Sequence, residues 1–308
     1  MKRLLSAAAA LVLGISLTAA AHAEGYGKVT VLGDSIASGF GLPGYFFGGT
    51  YSASGSFGNL IAEKSAGYEN LAKDGATTAD LLSRLGEADA QSAVKSADSV
   101  MISIGGNDFL MPMLNAFLDF PIDTGDLISG LISGGVSIDS IFEQVSEAVI
   151  DAAQSVDISK TGEHLTEIIG NIRAANPYCE IYILTVYDPF EGIAGMEMLE
   201  DVAKQRLPEL NAEITDAAKR GRANVIDVNS AFAGHAAEYT NIGIMDIHPS
   251  SAGHKVIYEL IASASEELSE EQTAGNPNTG AHAVTFTGAT ALAAALTMTV
   301  FRKKRQAP

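Results

Sequence analysis

Tryptophan is absent from this chain, and cysteine occurs once, at Cys179. A single thiol excludes an intrachain disulfide framework and any multi-cysteine metal site. Beside the apolar run 180–186, Cys179 reads as a small core residue. Positive charge is scarce: 19 Lys and Arg face 37 Asp and Glu over 308 residues, a net charge of −18. Six of those basic residues and no acidic ones lie in residues 1–23 and 280–308, so residues 24–279 carry a net −24. Such a body repels nucleic acid and anionic surfaces, and no nucleic-acid partner is expected. No cluster of His, Cys, Asp and Glu has ligand spacing, and 119–126 lacks the calcium-loop pattern, so neither metal nor cofactor is expected. No internal repeat is present.

The two ends do not read as fold. Lys2 and Arg3, an apolar stretch from Leu4 to Thr18 and the small-x-small site Ala21-His22-Ala23 make residues 1–23 an expected signal peptide. A retained membrane anchor is the alternative. Residues 268–280 are acidic, then rich in Asn, Pro and Gly, and read as a linker ending in Asn276-Pro277-Asn278-Thr279-Gly280. The uncharged segment 281–301 follows, then a basic tail, 302–308, that would stay cytoplasmic. At ~1.5 Å per residue the segment spans a bilayer core as a helix. This three-part order resembles the wall-sorting signal of Gram-positive surface proteins. The resemblance implies that a sortase cuts between Thr279 and Gly280 and joins the chain to peptidoglycan. The common form has Leu where Asn276 stands, which leaves the sortase class open; a simple membrane anchor is the other reading. Either way the folded part, 24–267, faces outward as a secreted, wall-anchored protein.

Four short runs rich in β-branched residues stand out: 28–33, 99–105, 180–186 and 224–229, with a weaker one at 68–72. Continuous apolar runs of this length fit strands buried on both faces. Helical stripes separate them: Ile138, Ile141, Phe142, Val145 and Val149; Leu165, Ile168, Ile169 and Ile172; and Leu210, Ile214, Ala217 and Ala218, with Pro208 expected in the first turn. Strands alternating with helices predict an α/β fold with a mainly parallel sheet.

Ligands of such sheets bind beyond the carboxyl ends of the strands. Gly33-Asp34-Ser35 follows the first run, and Lys73-Asp74-Gly75 follows the weak one. Gly105-Gly106-Asn107-Asp108 follows 99–105, and Asp246-Ile247-His248-Pro249 follows the last strand. Ester hydrolysis by serine needs this kit: a hydroxyl, a base whose ordinary pKa lies near neutrality, and fixed donors for an oxyanion.

The four blocks resemble those of the SGNH hydrolases, also called GDSL esterases and lipases: GDSI with Ser35, AKDGATTADLL with Gly75, IGGND with Asn107 and DIHPSSAGH with His248, in the family's order across about 28–265. The resemblance implies a three-layer, flavodoxin-like fold with a central parallel sheet of about five strands. It also implies Ser35 as nucleophile, His248 as base and then acid, and an oxyanion hole from Ser35, Gly75 and Asn107. The family's orienting acid stands three residues before the histidine, where this chain has Met245. Asp246 stands two before. Asp246 is the expected orienting acid, with a backbone carbonyl or a distant acid as the alternatives. The stretch 186–190 also resembles one in the lysophospholipase-like branch, with Asp188 in place of Asn. Asp34 and Asp108 are expected in loop hydrogen bonds, and His164, His235 and His254 in structural roles. Pro249 fits the first turn of a last helix.

Residues 109–160 are very apolar and carry Gly130, Gly134 and Gly135. They read as helices buried on the sheet, or as a cap whose Met111, Met113 and Leu114 contact an acyl chain. The expected function is a serine esterase acting on acyl esters or lysophospholipid-like lipids. A carbohydrate O-acetyl esterase is the nearest rival, less favoured without tryptophan platforms. A surface adhesion protein on an inactive hydrolase scaffold is the rival from another class.

Overall fold

The computed structural model describes residues 25–45, 53–119 and 138–274. Its elements run β1 (Lys28–Gly33), α1 (Ser35–Ser38), α2 (Phe57–Ala62), β2 (Gly67–Asn70), α3 (Thr78–Arg84), α4 (Ala88–Ser96), β3 (Ser99–Ser103), α5 (Gly106–Leu118), α6 (Ile138–Gln154), α7 (Ile158–Ala175), β4 (Glu180–Leu184), α8 (Glu197–Gly221), β5 (Asn224–Ile226), α9 (Val228–Phe232), α10 (Ala236–Tyr239), a 3-10 turn (Ile242–Ile244) and α11 (Ser251–Ala274). The five strands are parallel in the order β2-β1-β3-β4-β5. The chain turns from one side of β1 to the other between β2 and β3, so the switch point lies at the carboxyl ends of β1 and β3.

The central strands β1, β3 and β4 are covered on both faces. Leu32, Val100, Ile102, Ile181 and Ile183 enter one core with α3, α4, α7 and α8. Val29, Val31, Met101, Tyr182 and Leu184 enter the other with α2, α9 and α11. That two-sided burial is why the strands read as unbroken apolar runs. In α7, Leu165, Ile168, Ile169 and Ile172 are fully buried. An isoleucine loses a few tenths of a kcal/mol in helix propensity, against about 2 kcal/mol gained on burial, so packing decides this helix.

Four expectations are corrected. Pro208 lies inside α8, which starts eleven residues earlier at Glu197. It removes one helical N–H, and the helix runs through it because Val202 and Leu207 before it and Leu210 and Ile214 after it enter one core. Pro249 is not in α11: it forms an isolated bridge with Thr240, and Ser250 caps the helix by accepting from the Gly253 N–H at 3.2 Å. Three expected strands are shorter than their runs: 99–105 ends at Ser103, since Gly105 takes φ 112° to start α5; 180–186 ends at Leu184; and 224–229 ends at Ile226, where Asp227 caps α9. The linker expected over 268–280 starts later, because α11 runs on to Ala274. The signal peptide, residues 275–280 with Thr279 and Gly280, the apolar segment and the three cap glycines lie outside the described residues. Among those described, no helix is long and apolar enough to cross a membrane.

Candidate active site

The loop after β1 starts with a glycine for a steric reason. Gly33 has φ 136°, and a Cβ there would stand 1.9 Å from the Ser103 carbonyl oxygen of β3. Without one, β1 and β3 close up and the Asp34 N–H donates to that carbonyl at 3.0 Å. The Asp34 carboxylate then caps α1, accepting from the Ile36 N–H at 3.0 Å and the Ser103 hydroxyl at 3.3 Å. Burial pushes the Asp34 carboxyl up to about 7. Ser35, first in α1 and 8% exposed, is thus held at a strand end by backbone, by the Asp34 cap and by the Ser38 hydroxyl, which donates to the Ser35 carbonyl at 2.9 Å.

Across from it, His248 Nε2 lies 2.8 Å from Ser35 Oγ, and Nδ1 lies 2.5 Å from Asp246 Oδ1. The roles set the tautomer: Nδ1–H donates to the carboxylate and Nε2 accepts from the hydroxyl. Asp246 reaches a histidine only two residues on because the segment is a turn. Met245 sits at φ 60°, the His248 N–H donates to Asp246 Oδ1 at 3.1 Å, and the Asp246 N–H and His248 carbonyl both bond the backbone of Asn241. The Phe40 ring packs against the imidazole with centroids 4.5 Å apart.

Gly75 lies in the loop after β2, and Asn107 in the first turn of α5, after β3. Gly75 is exposed at φ 73°, with no atom within 4 Å of an added Cβ. Asn107, 6% exposed, donates through Nδ2 to the Ala76 carbonyl at 3.0 Å. Beside it, Asp108 accepts from the Thr78 N–H at 2.9 Å and from its hydroxyl at 2.6 Å, with His164 Nδ1 3.1 Å from that hydroxyl. Two adjacent side chains therefore clamp the Gly75 turn to the start of α5. Burial pushes the Asp108 carboxyl up, which the Thr78 bonds partly oppose.

Ser35, His248 and Asp246 thus form one hydrogen-bonded chain, and the Gly75 loop is tied to α1 by the Ser38 hydroxyl, which donates to Asp74 at 2.6 Å, and to α5 by Asn107. Other groups take structural places. His254 is buried, accepts from the Phe57 N–H and is pushed down to about 3 by burial, so it stays neutral. His235 lies exposed beside Glu238, and Cys179 is buried. Met113 packs on the core, whereas Leu114 is 42% exposed. Asp188 caps its own turn at the Phe190 N–H, and burial pushes it up to about 6. Its neighbour Tyr187 was missed: the buried hydroxyl donates to the Ile247 carbonyl at 2.8 Å, tying the loop after β4 to the acid–base turn. The only sequence signal was the stretch 186–190 itself.

Residues 31–256 match the model of the GDSL-like Lipase/Acylhydrolase family. The chain is 23% identical over 238 residues to the spore germination lipase LipC of Bacillus licheniformis, across 77% of this chain and 95% of that protein. It is 22% identical over 245 residues to the protein YpmR of Bacillus subtilis, across 77% and 80%. Among solved structures, an extracellular lipase from Streptomyces rimosus matches with a TM-score of 0.56 at 22% identity, covering 77% of this chain and 99% of that one. Phospholipase A1 from Streptomyces albidoflavus matches at 0.54 and 21% identity, covering 78% and 99%. At these identities the structural likeness speaks for the fold.

Proposed function

Because the chain belongs to the GDSL-like lipase/acylhydrolase family and is an ester-hydrolysing SGNH hydrolase, we propose that it cleaves acyl esters of lysophospholipid-like lipids through nucleophilic attack by Ser35. The observation that carries the mechanism is the 2.8 Å separation between His248 Nε2 and Ser35 Oγ. As Oγ bonds to the ester carbon, its proton passes to Nε2, and the imidazolium is held by Asp246. The carbonyl oxygen becomes an oxyanion facing the N–H groups of Ser35 and Gly75 and the second amide hydrogen of Asn107. Losing one such donor costs ~10²–10³ in turnover. Collapse breaks the carbon–oxygen bond to the alcohol, which takes the proton from Nε2. A water then repeats the cycle on the acyl-enzyme and frees the acid.

The exposed apolar side chains of α5, Leu114, Phe117 and Leu118, support an acyl chain over an acetyl group. A p-nitrophenyl series from acetate to palmitate tests this. Turnover that Ser35→Ala abolishes, rising from acetate to longer acyl chains, is expected. Preference for acetate points instead to carbohydrate deacetylation. No turnover at any length, with tight binding to a surface polymer, points to an adhesion scaffold.

The same reading takes the protein as secreted and joined to peptidoglycan by a sortase through Thr279. Its support is the sequence pattern of residues 1–23 and 276–308. Release of a Thr279-terminated chain from walls by a peptidoglycan hydrolase is the expected result, and an uncleaved C-terminus would oppose it.

A further inference from the structure

The turn that carries Asp246 and His248 also carries two large apolar side chains that the fold leaves unused. Ile244 and Met245 are 79% and 76% exposed. Scattered exposed apolar residues are ordinary, but three observations separate this pair. Met245 occupies the left-handed region at φ 60°, where glycine or asparagine is cheaper, and its side chain returns little packing for that conformation. Residues 239–245, YTNIGIM, carry no charge in a body of net −24. Finally, the pair adjoins the mouth of the site. A Cβ on Gly41 would stand 2.8 Å from Asp246 Oδ2, so the 39–45 loop lies on the same turn. That loop contributes the Phe40 ring against His248 and an exposed Pro43. Apolar groups from two loops therefore rim the catalytic histidine.

We infer that this rim docks on the surface of aggregated, uncharged or zwitterionic lipid, so that the occupant is the phase formed by the substrate. This rests on the acyl-ester reading above. Charge selects the surface: an anionic bilayer repels the acidic body, whereas residues 239–245 carry no charge between Glu238 and the His248-paired Asp246. Insertion of the two side chains raises the local concentration of ester at Ser35 with no new contact to the reacting atoms.

The test is the rate on monocaprylin below and above its aggregation concentration, with the full chain and the variants Ile244→Ser, Met245→Gly and the double variant. Met245→Gly relieves the left-handed backbone, so it should fold at least as well. The wild type should gain at least ~10-fold above aggregation; Ile244→Ser should lose most of that gain while its rate on dispersed ester stays within about twofold, and the double variant should lose the rest of the gain. Ile244→Leu should keep the gain. An equal gain in wild type and double variant overturns the proposal. So does an equal loss on dispersed ester, which would mean a distorted Asp246 turn, and so does a wild-type dimer that the double variant abolishes. If Ser35→Ala leaves the dispersed rate intact, the serine mechanism fails whatever the rim does.

Discussion

Asp246 and Asp34 are carboxylates on either side of one serine, and their surroundings give them opposite work. Asp246 is partly exposed and paired with an imidazole. Asp34 is buried, capping α1 without any basic partner among its bonds. Asp246→Asn keeps the turn's acceptor but loses the charge that holds the imidazolium. It should lower kcat by ~10²–10⁴ with a much smaller change in KM. An unchanged kcat would leave orientation to a backbone carbonyl. For Asp34 the folded pKa, about 7, lies above the usual 3.8. The folded state then holds the proton more tightly, so the group's relative stability is full below about pH 4 and is lost as pH rises through 7. Three units correspond to about 4 kcal/mol. Asp34→Asn keeps an acceptor for Ile36 and has no charge to bury. The stability difference between Asp34→Asn and wild type should therefore swing by several kcal/mol toward the variant between pH 4 and pH 8, measured by urea unfolding. A flat difference would refute it. His248 was legible at this scale because a short polar block after an apolar run is conspicuous. Asp246 was the expected partner, but the spacing alone left it open, because one backbone residue at φ 60° decides whether the turn brings it round.

Elements place these residues through ties between loops. Tyr187 extends from the end of β4 to the Ile247 carbonyl, and its ring packs on Phe232 of α9 with centroids 4.6 Å apart. Tyr187→Phe removes only the hydroxyl. It should lower kcat by ~10-fold through a looser acid–base turn, with KM nearly constant and stability reduced by about 1 kcal/mol. A proportional rise in KM instead would place Tyr187 in substrate binding. Gly33→Ala pushes a methyl into the Ser103 carbonyl of β3. It should cost more than ~3 kcal/mol, read as a lowered urea midpoint. The strands and the long helices α7 and α8 were legible because two-sided burial and 3–4 spacing mark the sequence directly. Tyr187 was not, because its partner is a backbone carbonyl 60 residues away, which leaves no trace in side-chain spacing. Pro208 misled for a related reason: proline marks first turns on average, and here tertiary packing on both sides of it holds one helix together.

At the scale of the whole molecule, the order β2-β1-β3-β4-β5 brings four sequence blocks to one sheet edge. Alternation of strands and helices announced the fold class. The lateral strand order has no local signature, and only the flavodoxin-like fold that the family resemblance implies pointed to it. The net −24 of residues 24–279 belongs to this scale as well. Weak attraction to anionic vesicles compared with uncharged ones is expected of such a body.

The account turns on a hydroxyl made reactive by one imidazole. Covalent labelling with an ethyl fluorophosphonate, mapped by mass spectrometry, tests that directly. The prediction is one adduct per chain, on Ser35, forming at a rate that falls at least ~10³-fold in His248→Ala. An adduct on another residue, or labelling of Ser35 at the same rate without His248, would contradict it.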